Sequence, residues 1–356
     1  MAGTGDDGGG TGVIYLVTDT HRFQEPAVGS APIRGLGLAI EGTELAAVLA
    51  EFERELDHAG IMRLRPRYYL STEWGVPFES IAIAIPFYLA RADLTAMQRE
   101  QHGYVEGVGR ADLLRYLRHE MGHVMNYGYR LYDDPEWVEL FGSMTQPYEE
   151  EYRPEPFSRR YVVHLPGWYA QKHPDEDWSE TFAVWMTPGR DWRAEYADWP
   201  AALAKLEYCD RVVARVRDQW PLVTSAHLDE DVADLDVSVQ EWFAEHEGAA
   251  EAMPPGLDGA LRAIFDDLHD LAVVPGRHVP AEELLGHMQP LLMENVYRWT
   301  GHFPENTRAL LRYLRRRAAD LRLCYAPARE NAAIVAVTTL VTALAMNHVT
   351  RGSYLP

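Results

Sequence analysis

Two histidines four residues apart, with a glutamate directly after the first, stand at His119-Glu120-Met121-Gly122-His123. On an α-helix of about 3.6 residues per turn, side chains i and i+4 lie one above the other, so both imidazoles can reach one metal ion. The HExxH spacing suits zinc-assisted hydrolysis, in which the glutamate stays off the metal and takes a proton from the activated water. Glu120 is therefore the expected general base, His119 and His123 are expected ligands, and one Zn2+ is the expected cofactor. Two imidazoles do not hold a catalytic zinc, which takes a third protein ligand and leaves the fourth position to water. A three-histidine site would need glycine at 126 and histidine at 129, but the chain has Asn126 and Tyr129 there, so that class is excluded. A carboxylate or a distant histidine remains, and the segment 173–183, HPDEDWSETFA, is the richest source of either. Apolar residues at 178, 182, 183 and 185 give it a helical stripe, Asp177 and Ser179 can cap its first turn, and Glu180 is the expected third ligand on that helix.

These residues resemble the bacterial zinc-binding metallopeptidases that are similar to the gluzincins. The resemblance runs from about 70 to about 210. It rests on IAIPFYL at 83–89, the block 118–129, Phe141-Gly142, PFSRR at 156–160, WYAQ at 168–171 and above all 173–185. It implies zinc on His119, His123 and Glu180, Glu120 as base, and a zincin-like domain whose small sheet precedes the metal helix. An edge strand of that sheet would pair with an extended substrate. In many gluzincins an acidic residue four positions after the glutamate ligand orients the first histidine. This chain has Val184 at that place, so Asp177 or Glu176 would have to orient a ligand histidine from another direction.

Water attack on a carbonyl builds an oxyanion that needs a donor besides the metal, commonly a tyrosine hydroxyl or a protonated histidine. Tyr169 and His173, eleven and seven residues before Glu180, are the candidates, and the spacing does not choose between them. Arg159 and Arg160 could clamp a substrate carboxylate or pair with the acidic run at 149–151.

The chemistry needs elements to carry it. Leu113, Leu114, Leu117, Met121, Val124 and Met125 recur at three- and four-residue steps, which predicts a helix through the motif with Asp112 as N-cap and Gly128 as terminator. Upstream, 13–17 reads as a strand. A helix capped by Thr43, with Leu45, Val48, Leu49, Phe52 and Leu56 on one face, ends at Gly60. Strands are expected at 67–70 and 80–85. Trp192, Trp199 and Leu206 mark a further helical region with Pro200 at a helix start. After a composition break at 221–234, five helices are expected at 237–247, 257–271, 281–299, 306–321 and 331–348. The predicted fold class is α+β, with a disordered stretch over 1–12, a zincin-like domain over 13–225 and an all-α region over 226–356.

With 356 residues, 47% of them apolar, the chain can bury a large core, and the net charge of −21 argues against a nucleic-acid or anionic-membrane partner. The basic run at 312–317 reads as one solvated helix face. The apolar segment 332–346, only fifteen residues with three threonines, reads as a buried helix rather than a membrane span. No secretory signal is read at the N-terminus, and Cys209 and Cys324 do not suggest a disulfide framework, so a reducing cytoplasm is the expected location. The expected activity is hydrolysis of a peptide or amide bond. The alternatives are a small-amide or modified-peptide hydrolase and a catalytically silent metal-binding interaction protein.

Overall fold

A computed structural model describes residues 28–102, 105–148, 152–245, 253, 256–267 and 278–354, so the expected strand at 13–17 and the stretch 1–12 lie outside the described residues. The structure is mixed α/β and mostly helical, with small sheets. Helix α1 (Glu44–His58) begins after Thr43, held in extended conformation, and buries Leu45, Val48, Leu49, Phe52 and Leu56 as their spacing requires. Strands β1 (Arg67–Ser71) and β2 (Ala82–Pro86) pair in parallel, with Tyr69 opposite Ala84. The connection between them folds back, so that Gly75 bridges Ala84 antiparallel, its carbonyl accepting from the Ala84 N–H at 2.8 Å. Residues 74–76 therefore run alongside β2 on the side away from β1.

Helix α2 (Ala92–His102) leads to α3 (Arg110–Tyr129), the helix of the HExxH motif. Its N-cap is Gly109 at φ 83°, not Asp112, which lies in the first turn and accepts from the Gly107 N–H at 2.9 Å. Nor does Gly128 end it. The helix closes at Arg130 in the left-handed conformation, while Gly128 lies inside, where a Cβ would stand 2.9 Å from the Leu64 Cδ2. After α4 (Pro135–Phe141) and the irregular 3-10 segment Pro166–Gln171 comes α5 (Pro174–Met186), the helix of the acidic block. The short α6 (Trp192–Glu195) and α7 (Pro200–Val216) follow, and α7 packs beneath α5.

The chain then returns across the first core. Ile81 N–H donates to Ser225 O, the Tyr69 hydroxyl donates to Asp229 O, and Ile33 and Arg34 N–H donate to Val237 O and Leu235 O. Val232, Val239, Trp242 and Phe243, the last three on or beside α8 (Val239–Glu245), are buried in the same core as α1, α3 and α5. The expected boundary at 225 is thus too early, because the segment after it supplies apolar side chains to the first core.

A second core, from Leu257 to Tyr354, is built by α9 (Asp258–Ile264), α10 (Ala281–Thr300), α11 (Pro304–Asp320) and α12 (Glu330–Arg351). It is not all-α. The helix expected to run to 271 stops at Ile264, and Phe265 turns the chain into β3 (Asp266–Asp267). Together with β4 (Val279–Pro280) and the central β5 (Leu323–Tyr325), this makes a three-stranded antiparallel sheet. Helix α12 buries Ala333, Val337, Val341, Leu344 and Ala345 and exposes Val335 on the opposite side, so it is half-covered rather than buried all round. By length and composition alone, Pro327–Arg351 could cross a membrane; here it packs on α10 and α11. The two cores meet where α10 lies on Pro166–Gln171 and where the Arg308 guanidinium of α11 donates to Glu100 O of α2 at 3.3 Å.

Candidate metal centre

The site forms where α3 and α5 cross at unusually short range. At Gly122 a Cβ would stand 2.6 Å from the Ser179 Cα, so only a residue without a side chain lets the backbones come this close. The Trp178 indole locks the crossing by donating to Gly122 O at 2.7 Å. Helix α5 starts sharply, with Pro174 in its first turn and the His173 ring accepting from the Asp175 N–H at 3.2 Å. Asp175, Glu176, Asp177 and Glu180 are consequently all buried, and all face α3 or α7.

Three atoms converge. His119 Nε2 is 3.2 Å from His123 Nε2. Glu176 Oε2 is 3.0 Å from the former and 3.3 Å from the latter. The opposite ring nitrogens point to other carboxylates: His119 Nδ1 meets Glu180 Oε1 and His123 Nδ1 meets Asp175 Oδ2, each at 2.9 Å. Those carboxylates are themselves fixed. Glu180 Oε2 accepts from the backbone N–H groups of His164 and Leu165 at 3.0 and 2.8 Å. Asp175 accepts from Asn126 Nδ2 at 2.7 Å and from the Tyr127 hydroxyl. Each imidazole is thereby oriented through Nδ1, leaving both Nε2 atoms to the shared point.

The expectation for Glu180 is corrected by this placement: it stands behind His119, and Glu176, one helical turn earlier, is the carboxylate grouped with the two histidines. Glu180 lies four residues after Glu176 and meets the Nδ1 of His119, so the carboxylate behind that ring stands at 180, where the sequence had pointed to Asp177 or Glu176. The signal in the sequence was the Glu176/Glu180 pair itself, spaced to share one helix face.

The donor set fits a divalent cation. Tetrahedral zinc with bonds near 2.0–2.1 Å separates its ligand atoms by about 3.3 Å, and the observed triangle has edges of 3.0 to 3.3 Å. The charge balance points the same way. Although burial alone would depress them, the surrounding carboxylates hold His119 up at about 9 and His123 well above its ordinary value, so the site favours positive charge. A cation at the common centre would replace those protons.

Glu120 sits on the same wall with its Oε2 buried and without a hydrogen-bond partner among the described residues, and burial pushes its carboxyl up to about 6. It shares the lining of a cleft of about 290 Å3 with Trp74, Gly75, Val76, Tyr148, Tyr169 and His173. The Tyr169 ring is 5.5 Å from that of His119, and its hydroxyl is 3.4 Å from the Tyr148 hydroxyl. Tyr148, absent from the sequence reading, donates to Glu176 Oε1 at 2.7 Å and so holds the oxygen that the histidines leave unused. His173 lines the cleft, but both its nitrogens are engaged, one by Asp175 N–H and the other by Gln146 O at 3.1 Å. Of the two oxyanion candidates Tyr169 is the less engaged, its hydroxyl having among the described residues just the 3.4 Å contact to Tyr148. Arg160 pairs with Glu155 on the surface, and residues 149–151 lie outside the described residues. No protein-family model, curated protein or solved structure gives a significant match to the chain.

Proposed function

We propose that the protein is a metal-dependent hydrolase of peptide or related amide bonds, with one divalent cation held by His119, His123 and Glu176. The observation that carries the reading is the triangle of three buried donor atoms together with a glutamate oxygen that has no hydrogen-bond partner among the described residues. A mixed nitrogen and oxygen donor set of this geometry suits zinc, which when bound supplies Lewis acidity toward water and carbonyl oxygen.

The chain's own groups supply the rest. The carboxylate of Glu120, a residue of the cleft lining, accepts the proton of the attacking water and returns it to the leaving nitrogen, so that an amide and water become an acid and an amine. The Tyr169 hydroxyl donates to the carbonyl oxygen as negative charge grows there. Glu180 and Asp175 keep the imidazoles aimed, and Tyr148 restrains Glu176. Residues 74–76, running beside β2, line the cleft and offer an extended peptide a backbone to lie along. The cleft volume of about 290 Å3 is at the small end for ligand pockets and favours a short peptide or a small amide over a folded chain. A purely structural zinc takes four closed protein ligands and needs no base, so a glutamate directly after the first histidine supports the catalytic reading.

The test combines metal analysis with turnover of a quenched-fluorescence peptide mixture. Glu120→Gln should keep stoichiometric metal and lose about 100- to 10,000-fold in rate, whereas Glu176→Ala should lose the metal. A parent protein that takes up no zinc from a buffered solution would end the proposal.

A further inference from the structure

We propose that Tyr297, on α10 of the second core, is a positioning residue for Tyr169; the inference rests on the hydrolase reading above and gives the C-terminal helices a part in it. Tyr169 follows two consecutive residues in the left-handed region, Gly167 at φ 83° and Trp168 at φ 61°. The second has a Cβ, so the turn is strained and must be held from outside.

The second core holds it. The Tyr297 ring packs against Gly167, where a Cβ would stand 2.8 Å from the Tyr297 Cε2 and 3.3 Å from its Cζ. Gly301, just after α10, approaches the Gly167 carbonyl so closely that its own Cβ would be 3.1 Å from that oxygen. The same carbonyl accepts from the Tyr152 hydroxyl at 2.6 Å. The Tyr152 ring is edge-on both to Tyr169 and to Phe303, and Phe303 stacks on Tyr297 at 6.0 Å. On the other side, Trp168 meets Phe157 at 5.0 Å.

A turn so clamped fixes where Tyr169 points. Its ring sits 5.5 Å from His119 and its hydroxyl beside that of Tyr148. Release of Gly167 would let residues 167 and 168 relax toward right-handed angles and swing the hydroxyl off the cleft. Tyr297 is close-packed with the turn and has no place in the wall of the cleft, so its effect on turnover runs through Tyr169.

The experiment uses the full-length protein loaded with zinc. Turnover of the quenched-fluorescence peptide mixture, metal content and hydrogen exchange across 166–172 are compared in the parent, Tyr297→Ala, Tyr297→Leu, Tyr297→Phe, Tyr169→Phe and the Tyr169→Phe/Tyr297→Ala double variant. Tyr297→Ala should keep its metal, exchange faster across 166–172 and lose about 10- to 100-fold in turnover, as a misplaced catalytic group does. Tyr297→Phe, which keeps the ring, should restore the parental rate. Tyr297→Leu repeats the comparison in a variant with a larger side chain, in case the alanine variant fails to fold. The double variant should be no slower than Tyr169→Phe alone, since a residue acting through another adds nothing once that other is gone.

Parental turnover in Tyr297→Ala, or losses that multiply in the double variant, would overturn the positioning role. Parental turnover in Tyr169→Phe would instead remove Tyr169 from the reaction, and the proposal with it, while leaving the metal and Glu120 reading in place.

Discussion

Gly122→Ala tests the crossing of α3 and α5 on which the site depends. The added methyl would sit 2.6 Å from the Ser179 Cα and 3.0 Å from its Cβ and Oγ. Carbon atoms in contact keep about 3.5–4.0 Å, so the overlap is about 1 Å. Both backbones are helical and neither can swing aside, so the helices must part by roughly that amount. Glu176 lies one turn before Ser179, and its 3.0 and 3.3 Å separations from the two Nε2 atoms would open toward about 4 Å. A zinc site tolerates ligand displacements of only about 0.2 Å, so metal affinity should fall at least about 100-fold. Overpacking costs about 1–3 kcal/mol and the better helix propensity of alanine returns about 1, leaving a net loss of about 0–2 kcal/mol in the metal-free protein. Competition with a chromophoric chelator measures the first quantity, and urea unfolding in EDTA the second. Gly128→Ala is the internal control. There the new Cβ would meet the Leu64 side chain, Cδ2 at 2.9 Å and Cδ1 at 3.3 Å, and no part of α5, so the cost falls on core packing and parental metal affinity is expected. If Gly122→Ala binds zinc within about threefold of the parent, the close crossing does not set the ligand geometry and the reasoning is refuted.

Three further outcomes follow from the same packing. Glu180→Gln leaves an acceptor for His119 Nδ1 but removes the charge, so zinc affinity should drop about 10- to 100-fold in the chelator assay while one equivalent still binds at saturation. Lys205→Met removes the ammonium that meets Asp177 Oδ2 at 2.5 Å inside the protein. A loss of about 3–5 kcal/mol is expected in urea unfolding at pH 8, and a smaller one at pH 6, where Asp177, already pushed up to about 7 by burial, can take a proton instead. His302 is buried against Thr307 and Tyr354, and burial, with the neighbouring His348 adding to it, pulls its pKa down to about 3. The unfolded chain therefore binds a proton that the folded chain refuses. Stability from this residue is full above about pH 6.5 and is lost as pH falls from 6.5 toward 3, by at most about 4–5 kcal/mol. His302→Gln should flatten that part of the urea stability profile, and an unchanged slope would count against it.

What could be read from the chain and what could not divide along the range of the interactions responsible. The helix carrying His119, Glu120 and His123 and the helix behind Thr43 announce themselves through periodicity, because their burial patterns depend on local spacing. The choice between Glu176 and Glu180 does not. Both lie on the face of α5 turned to α3, and which one reaches the shared point is set by the height at which α5 crosses α3, a contact between Gly122 and Ser179 57 residues apart. Gly128 misled as a helix terminator for the same reason: it accommodates Leu64, a partner 64 residues upstream. Helix α9 stops short because residues 266–267 find a strand at 323–324 to pair with. Tyr148 carried no motif and became visible only through its hydrogen bond to Glu176.

The strand-like return of 225–237 over the first core has a consequence for cutting the chain in two. The ribosome has made every residue of the proposed metal centre by Glu180, yet Phe87 still lacks its partner Trp242, and Ile33 its partner Val237. A truncation at 225 would thus yield a fragment containing the whole site and an open floor. A piece running through Glu245 keeps the described side chains of the first core together, and it would leave Gly167 without Tyr297. On the proposed function such a piece should take up zinc as the parent does while turning over slowly, with metal binding and working geometry assigned to different stretches of the gene.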